Sequence, residues 1–355
     1  MNEAYYMQRC LQLAEKGKGK VAPNPMVGAL LVHDGRIIGE GWHQQLGGAH
    51  AEVQCLESVS EADRHLIPNA TLYVSLEPCA HQGRTPSCAH RIVQEGIRNV
   101  VVCNDDPFEK VAGRGYAILE QQGIAVKRGV AADAGRWVNR RFFCFHEKKR
   151  PYIILKWAQT GNGYFAPSDR SRLAISHKAA QGLVHKWRTE EPAIMVGYTT
   201  ALNDNPRLTA RLFSGRQPLR LVLDKDLNIP PSHHVFDADA PTWILNQQTQ
   251  KTVGNIRWMK LHFTETLLEE TMQLLHQNEV QSILIEGGAQ LLQSFIDKGL
   301  WDEARIITAT NVTLQEGIAA PILKQAHGQW EIALQSDRLH LFTRQPLAIP
   351  QGFSL

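Results

Sequence analysis

His50 and Glu52 stand one residue apart in Ala49–Val53, AHAEV, and two cysteines follow in Glu77–Cys88, EPCAHQGRTPSC. Imidazole and thiolate are ligands that zinc favours, and a catalytic zinc keeps one of its tetrahedral positions for water. His50, Cys79 and Cys88 supply three such ligands and leave the fourth position open. A zinc ion there lowers the pKa of its water to about 7. Glu52 sits at the start of the same predicted helix and can face that water without ligating the metal. It can then carry the water's proton to a departing amine. H-x-E followed by P-C is the layout of a hydrolytic deaminase. Cys10, Cys55, Cys103 and Cys144 have no such partners and read as core residues.

The spacing departs from the nucleic-acid and cytidine deaminases, which carry C-x-x-C. Here eight residues separate Cys79 from Cys88. That longer loop holds His81, a candidate base-edge donor, and Arg84, a candidate phosphate ligand. A rival reading is a closed structural site. If His81 or the nearby His90 completed the metal shell, Glu52 would lose its role.

The second half offers a different chemistry. Ser282–Gly288, SILIEGG, is an apolar strand ending in Glu286 and a glycine pair, followed by a helical pattern. Amides at a helix N-terminus suit phosphate, and glycines permit close approach. The pair lacks the full dinucleotide fingerprint. Thr200–Leu208, TALNDNPRL, reads as a polar loop and capped turn after a strand.

The elements that must hold these residues follow from periodicity. Glu3–Lys16 predicts a helix stopped by Gly17, and Val27–Val32 with Arg36–Gly41 a hairpin around Asp34-Gly35. Helices at Ala51–Val59, Cys88–Glu95 and Gly113–Gln122 alternate with strands at Thr71–Leu76, Asn99–Cys103 and Ile124–Val126. This predicts a sheet covered by helices on both faces. The basic run FCFHEKKRP, Phe143–Pro151, ends the first unit. The second half restarts with strands at Tyr152–Trp157, Ala193–Val196, Leu219–Leu223, Thr242–Leu245 and Ser282–Ile285. A helix capped by Ser176 runs to about Arg188, another spans Ala289–Lys298, and Trp330–Arg344 alternates like an antiparallel hairpin. The class is α/β with two domains, as 355 residues allow.

Composition is globular, with 43% hydrophobic and 21% charged residues and a formal net charge of +3 spread along the chain. The lack of a basic block argues against a nucleic-acid partner. No apolar run approaches the roughly 20 residues of a membrane helix, and the start lacks the pattern of a signal peptide. Six cysteines are too few for a disulfide scaffold, so a cytoplasmic location is expected.

Taken together, APNPMVG (Ala22–Gly28), GEGWH (Gly39–His43), AHAEV, EPCAHQGRTPSC and DPFEKVAGRG (Asp106–Gly115) resemble the bifunctional riboflavin-biosynthesis deaminase/reductase family. The resemblance covers nearly the whole chain. It implies a cytidine-deaminase-like three-layer sandwich over residues 1–147 and a dihydrofolate-reductase-like α/β domain over 150–355. The implied first reaction is zinc-dependent deamination of 2,5-diamino-6-ribosylamino-4(3H)-pyrimidinone 5′-phosphate. The second is NADPH-dependent reduction of the product's ribosyl group to ribityl. By resemblance Asn24 and His43 line the base pocket. In the second half Gln159, Thr200 and Asp204 fall at cofactor positions, and Gly287 and Gly288 open the pyrophosphate loop. Arg188, Leu208, Arg211 and Glu286 fall at substrate positions, where a ribosyl phosphate needs cationic partners. Two departures are visible. Asn162 replaces the turn aspartate in KWAQTGNG, and Arg172 and Ala174 stand where the family has Ser-x-Trp. The latter keeps open a deaminase with a degenerate reductase half. Lys225, after the strand ending at Asp224, is a candidate for the 2′-phosphate that separates NADPH from NADH. The family also implies a homo-oligomer.

Overall fold

The structure is a computed structural model and describes residues 3–80, 86–109, 111–169, 171, 173 and 175–346. Among these, residues 3–148 form one compact unit and 149–346 another.

The first unit orders its strands by simple local rules. β1 (Gly28–His33) and β2 (Arg36–Trp42) form the expected hairpin. Its turn residues Asp34 and Gly35 both have positive φ, 46° and 79°, as a two-residue turn between twisted strands requires. β3 (Thr71–Leu76) pairs antiparallel with β1, and β4 (Asn99–Asn104) and β5 (Ala125–Lys127) add in parallel. The sheet order is β2-β1-β3-β4-β5. Alternate strand residues face opposite sides. Ala29, Leu31, Leu72, Val74, Val100 and Val102 share a core with apolar residues of α2 (Ala51–Glu57), α3 (Cys88–Gln94) and α4 (Arg114–Gln121). On the other face, α1 (Glu3–Glu15) places Tyr6 5.1 Å from Tyr73, and α5 (Ala132–Val138) packs over β4. The result is helix, sheet, helix. Gly41 sets the seat of α2: a Cβ there would lie 2.2 Å from the Cys55 amide, so no side chain fits between strand and helix.

The second unit is built on a ten-stranded sheet of order β11-β12-β10-β9-β8-β13-β6-β14-β17-β16. In chain order these are β6 (Tyr152–Thr160), β8 (Ala193–Val196), β9 (Leu219–Leu223), β10 (Thr242–Asn246), β11 (Lys251–Val253), β12 (Ile256–Lys260), β13 (Ser282–Ile285), β14 (Glu303–Ala309), β16 (His327–Leu334) and β17 (Asp337–Thr343). The strands from β12 to β14 run parallel, and both edges are antiparallel. A small sheet pairs β7 (Tyr164–Pro167) with β15 (Gly317–Ala319). Alternation again divides the core. Ala193 and Met195 face the side covered by α9 (Leu267–Gln277) and α10 (Ala289–Asp297), while Ile194 and Val196 face α8 (Tyr198–Asp204). α7 (Lys178–Glu190) precedes β8. β13 enters the sheet between β8 and β6, where the strand order reverses, and in open α/β sheets ligands bind outside the carboxyl ends of the strands at such a point.

Several expectations change. The stretch read as a polar loop from Thr200 starts inside α8, because Gly197 opens a helical turn that runs to Asp204. The cap of α7 is His177, not Ser176; the His177 imidazole accepts the Ala179 amide. The basic boundary run lies largely in a helix, α6 (Arg140–Lys148), whose Phe142, Phe143 and Phe145 are buried. No helix among the described residues is long and apolar enough to cross a membrane.

Candidate functional site: a metal centre and a cationic cleft

Three helix and strand ends bring the predicted ligands together. His50 is the N-cap of α2, Cys79 follows β3 through Glu77 and Pro78, and Cys88 opens α3. His50 Nδ1 lies 3.5 Å from Cys79 Sγ and 3.3 Å from Cys88 Sγ, and all three ligand atoms fall within 4.8 Å of one another. Tetrahedral zinc with its usual Zn–S and Zn–N bond lengths places such ligand atoms about 3.5 Å apart, so the set fits the ion. The Cys79 thiol is drawn down to about 4, because the Cys88 thiol, His50 and the Cys88 amide all hydrogen-bond to its sulfur. His50 in turn is raised to about 9 by its bond to Cys79. His90 does not join the cluster, since its Nδ1 is bound to Ser87 Oγ at 2.8 Å. His81 and Arg84 lie outside the described residues.

Glu52 is buried in the first turn of α2 beside this cluster. Burial pushes its carboxyl above the ordinary range, the Cys79 sulfur pushes the same way, and His50 and the Cys88 thiol oppose them. A raised carboxyl suits a group that must gain and release a proton near neutral pH. Next to it, buried His43 holds Ala49 O through Nδ1 at 3.1 Å and Asn24 Nδ2 through Nε2 at 3.2 Å. Burial lowers the His43 pKa and keeps the ring neutral. The ring stands 5.6 Å from His50, edge to face. Asn24 and His43 therefore border the metal cluster.

One residue of this site was missed. Glu77 is buried, and its carboxylate accepts the amides of Gly113 and Gly115, both at 3.1 Å, and of Asp106 at 3.4 Å. It ties the DPFEKVAGRG loop under the turn that carries Cys79. Gly115 completes the fit: a Cβ there would lie 2.0 Å from Pro78 O. The available signal was an acidic residue beside Pro-Cys in one motif and a glycine-rich turn in another.

In the second unit, strand register builds a cleft of about 1270 Å³. Ile285 lies opposite Leu155 across β13 and β6, so the next residues, Glu286 and Lys156, are neighbours. Lys156 Nζ is 3.7 Å from Glu286 Oε2. Arg188 from α7 clamps the same carboxylate, Nε to Oε1 at 2.8 Å and Nη2 to Oε2 at 2.7 Å, and gives Nη1 to Thr209 O at 3.1 Å. Burial alone would raise the Glu286 carboxyl, but Arg188 and Lys156 hold it down at about 2. Burial lowers Lys156, with Glu286 opposing.

The remaining cleft residues divide plainly. Thr200, Asp204, Leu208, Arg211, Lys225 and Gly288 line it together with Lys156, Arg188 and Glu286. Gln159 does not; its Oε1 accepts the Trp157 indole N–H at 2.9 Å. Gly287 does not line it either, and is needed for packing: a Cβ would lie 2.9 Å from Val196 Cγ1 and 3.0 Å from Thr200 Cγ2. Gly288 has φ +70°, which favours glycine, and caps α10 toward the cleft. Asn162 pins its turn through hydrogen bonds with the backbone at Leu314. Arg172 and Ala174 lie outside the described residues. Arg220 was also missed. It is fully buried in β9 and donates to Thr242 Oγ1, Asp237 Oδ1 and the carbonyls of Arg207, His234, Asp237 and Ala240. An arginine inside the apolar run LRLVL was the signal.

Comparison with known proteins bears on both units. Residues 1–104 match the family described as the cytidine and deoxycytidylate deaminase zinc-binding region, and residues 151–313 match the RibD C-terminal domain. The riboflavin biosynthesis protein RibD of Aquifex aeolicus is 36% identical over 88% of each chain. That of Bacillus amyloliquefaciens is 36% identical over 92% of this chain and 89% of its own. This chain belongs to the RibD family. Its fold agrees: the crystal structure of a diaminohydroxyphosphoribosylaminopyrimidine deaminase/5-amino-6-(5-phosphoribosylamino)uracil reductase from Thermotoga maritima superposes with TM-score 0.86 at 31% identity, covering 96% of this chain and 98% of that one. The RibD family unites a deaminase and a reductase, and the α/β class with a deaminase-like first unit and a reductase-like second unit is borne out.

Proposed function

We infer that this RibD protein performs two consecutive steps of riboflavin biosynthesis. The first is hydrolytic deamination of 2,5-diamino-6-ribosylamino-4(3H)-pyrimidinone 5′-phosphate. The second is NADPH-dependent reduction of the ribosyl group of 5-amino-6-(5-phosphoribosylamino)uracil. The observation that carries the reading is a three-ligand centre with a buried, non-ligating Glu52 beside it. Residues 1–147 would form the deaminase and 150–355 the reductase.

Zinc held by His50, Cys79 and Cys88 supplies the acidity that makes water a nucleophile near neutral pH. Glu52 takes the water's proton and returns it to the departing ammonia. Asn24 offers its carboxamide to the pyrimidine edge, and neutral His43 fixes that carboxamide through Nε2. His81 and Arg84 complete the substrate contacts in this reading, at the base and the phosphate.

NADPH supplies the hydride of the second step. Thr200 in the first turn of α8, Asp204 at its last residue and Gly288 at the N-terminus of α10 would line its site, with Lys225 toward a 2′-phosphate. Gly287 would serve by letting that loop pack close against Val196 and Thr200, and Gln159 by its bond to Trp157. Leu208 and Arg211 would take the substrate, Arg211 at its phosphate. Glu286, an anion tied by Arg188, has no proton to donate at neutral pH. Lys156, whose pKa burial lowers, is the group that can protonate the carbonyl oxygen of the opened ribose. The reading extends to a cytoplasmic homo-oligomer, and light scattering measures that state directly.

The test incubates the purified protein with the diamino pyrimidinone ribosyl phosphate, with and without NADPH, and identifies products by mass spectrometry. Ribityl product only with NADPH is the expected result. The uracil product alone in both tubes would leave only the deaminase. No deamination with zinc present would reject the reading.

A further inference from the structure

His185 lies on α7, lines the reductase cleft and is 7% exposed. Its Nδ1 accepts the backbone N–H of Arg211 at 2.9 Å across a gap of 26 residues. That bond fixes the tautomer, with the proton on Nε2. Burial first, then Arg188, Arg211 and Lys156, push its pKa down to about 4, with Glu286 opposing. The ring is therefore neutral at neutral pH, and only a neutral ring has a lone pair to accept with.

This bond belongs to a set. Arg188 Nη1 holds Thr209 O at 3.1 Å, Gln217 Oε1 accepts the Ala210 amide at 2.8 Å, and His185 takes the Arg211 amide. Three successive residues are thus anchored, Thr209 and Arg211 from α7 and Ala210 from Gln217 further along the same segment. Beyond them Leu212 and Phe213 are 61% and 46% exposed. The His185 bond is the last anchor before the segment leaves the body of the unit. Arg211 Nη1 also meets Thr209 Oγ1 at 3.0 Å, which directs the side chain back along the anchored backbone.

We propose that His185 is a positioning residue for the reduction: it holds the Arg211 backbone so that the guanidinium meets the substrate's phosphate. The inference rests on the reading of this unit as a reductase of a ribosyl phosphate. Arg188 is poorly placed for the phosphate itself, because Nε and Nη2 are committed to Glu286.

The test measures steady-state reduction of 5-amino-6-(5-phosphoribosylamino)uracil and of its dephosphorylated riboside, at saturating NADPH. His185→Leu removes the acceptor. His185→Asn puts an amide oxygen near the Nδ1 position, and His185→Gln reaches the Nε2 position instead. We expect His185→Leu to raise KM for the phosphorylated substrate about tenfold and to change kcat less than about twofold. The riboside KM should not move, and His185→Asn should restore most of the loss. Should His185→Leu not fold, the contrast of His185→Asn with His185→Gln reads the same difference. Equal losses on both substrates, or an unchanged KM in His185→Leu, would overturn the proposal. Wild-type protein that fails to reduce the uracil substrate would instead overturn the reading beneath it.

Discussion

Glu52 and the cysteines occupy one cluster but carry separable tasks. Glutamine has the size of Glu52 and cannot take up a proton. Glu52→Gln should therefore lower deamination by about 10²–10⁴-fold while zinc content by mass spectrometry stays at the wild-type level. Cys88→Ser should lose the metal and the activity together. Glu286 makes a pH prediction in the other unit. Its folded pKa, about 2, lies below its ordinary 4.5. Folding thus favours the carboxylate, and the stabilisation is present in full above about pH 5 and is lost as pH falls toward 2. His185, at about 4 against an ordinary 6.5, is also depressed, so folding favours its neutral form and acid costs stability from about pH 6.5 downward. Thermal melts of the second unit should lose stability from pH 6.5 to 4, and His185→Asn should flatten that limb. The metal ligands and Glu52 were legible because zinc accepts few residue types and the H-x-E and P-C pair is rare by chance. Glu77 and His185 were not, because both act on backbone amides 26 to 38 residues away, and any amide satisfies them equally in the sequence.

Elements set how closely those side chains can approach. Gly115 sits against Pro78 O, one residue before the ligand Cys79. Gly115→Ala must move that turn or α4, so we expect a loss of about 1–3 kcal/mol for the first unit and weaker zinc retention in chelator competition. Reduction of supplied uracil substrate should be unchanged. Arg220 plays the comparable part in the second unit, gathering the carbonyls of Arg207, His234, Asp237 and Ala240 beside the segment that carries Leu208. Arg220→Leu leaves the Arg207 carbonyl without that donor and strips one donor from each of the other carbonyls and from the Asp237 carboxylate, which keep Asn255 Nδ2 or the Asp237 and Asp239 amides. It should cost about 1–3 kcal/mol, read as a fall in the second unit's melting temperature. Strands with strict alternation or solid apolar runs were readable, and β1, β3, β8, β9 and β13 fall where periodicity put them. Elements with weak patterns were not. α8 is short, with Ala201 its buried residue, so its polar residues read as a loop. α6 hid behind its basic residues, although its phenylalanines recur on one buried face. Ser176 lost the cap to His177 because imidazole can accept an amide as a serine oxygen does.

On the scale of the whole chain, each proposed set of site residues comes from one unit: His50, Glu52, Cys79 and Cys88 from the first, Lys156, Arg188 and Glu286, with the positioning residue His185, from the second. The deamination product is the reduction substrate, and it is a complete small molecule that needs no covalent carrier. Two single variants, each lacking one activity, should then complement each other through solution. Glu52→Gln keeps the reductase, and Lys156→Met keeps the deaminase while leaving Glu286 paired with Arg188. Neither alone should form ribityl product from the diamino substrate and NADPH. An equimolar mixture should form it after a lag, during which the uracil intermediate accumulates and then declines. A chelator added at the start should stop the mixture at unreacted diamino substrate, yet leave conversion of supplied uracil substrate untouched, since the second unit's cleft is lined without the metal ligands. If the mixture stays silent while each variant retains its own half-reaction, free exchange of the intermediate is wrong. The two steps must then be linked within one molecule, and neither site can be understood from its own unit.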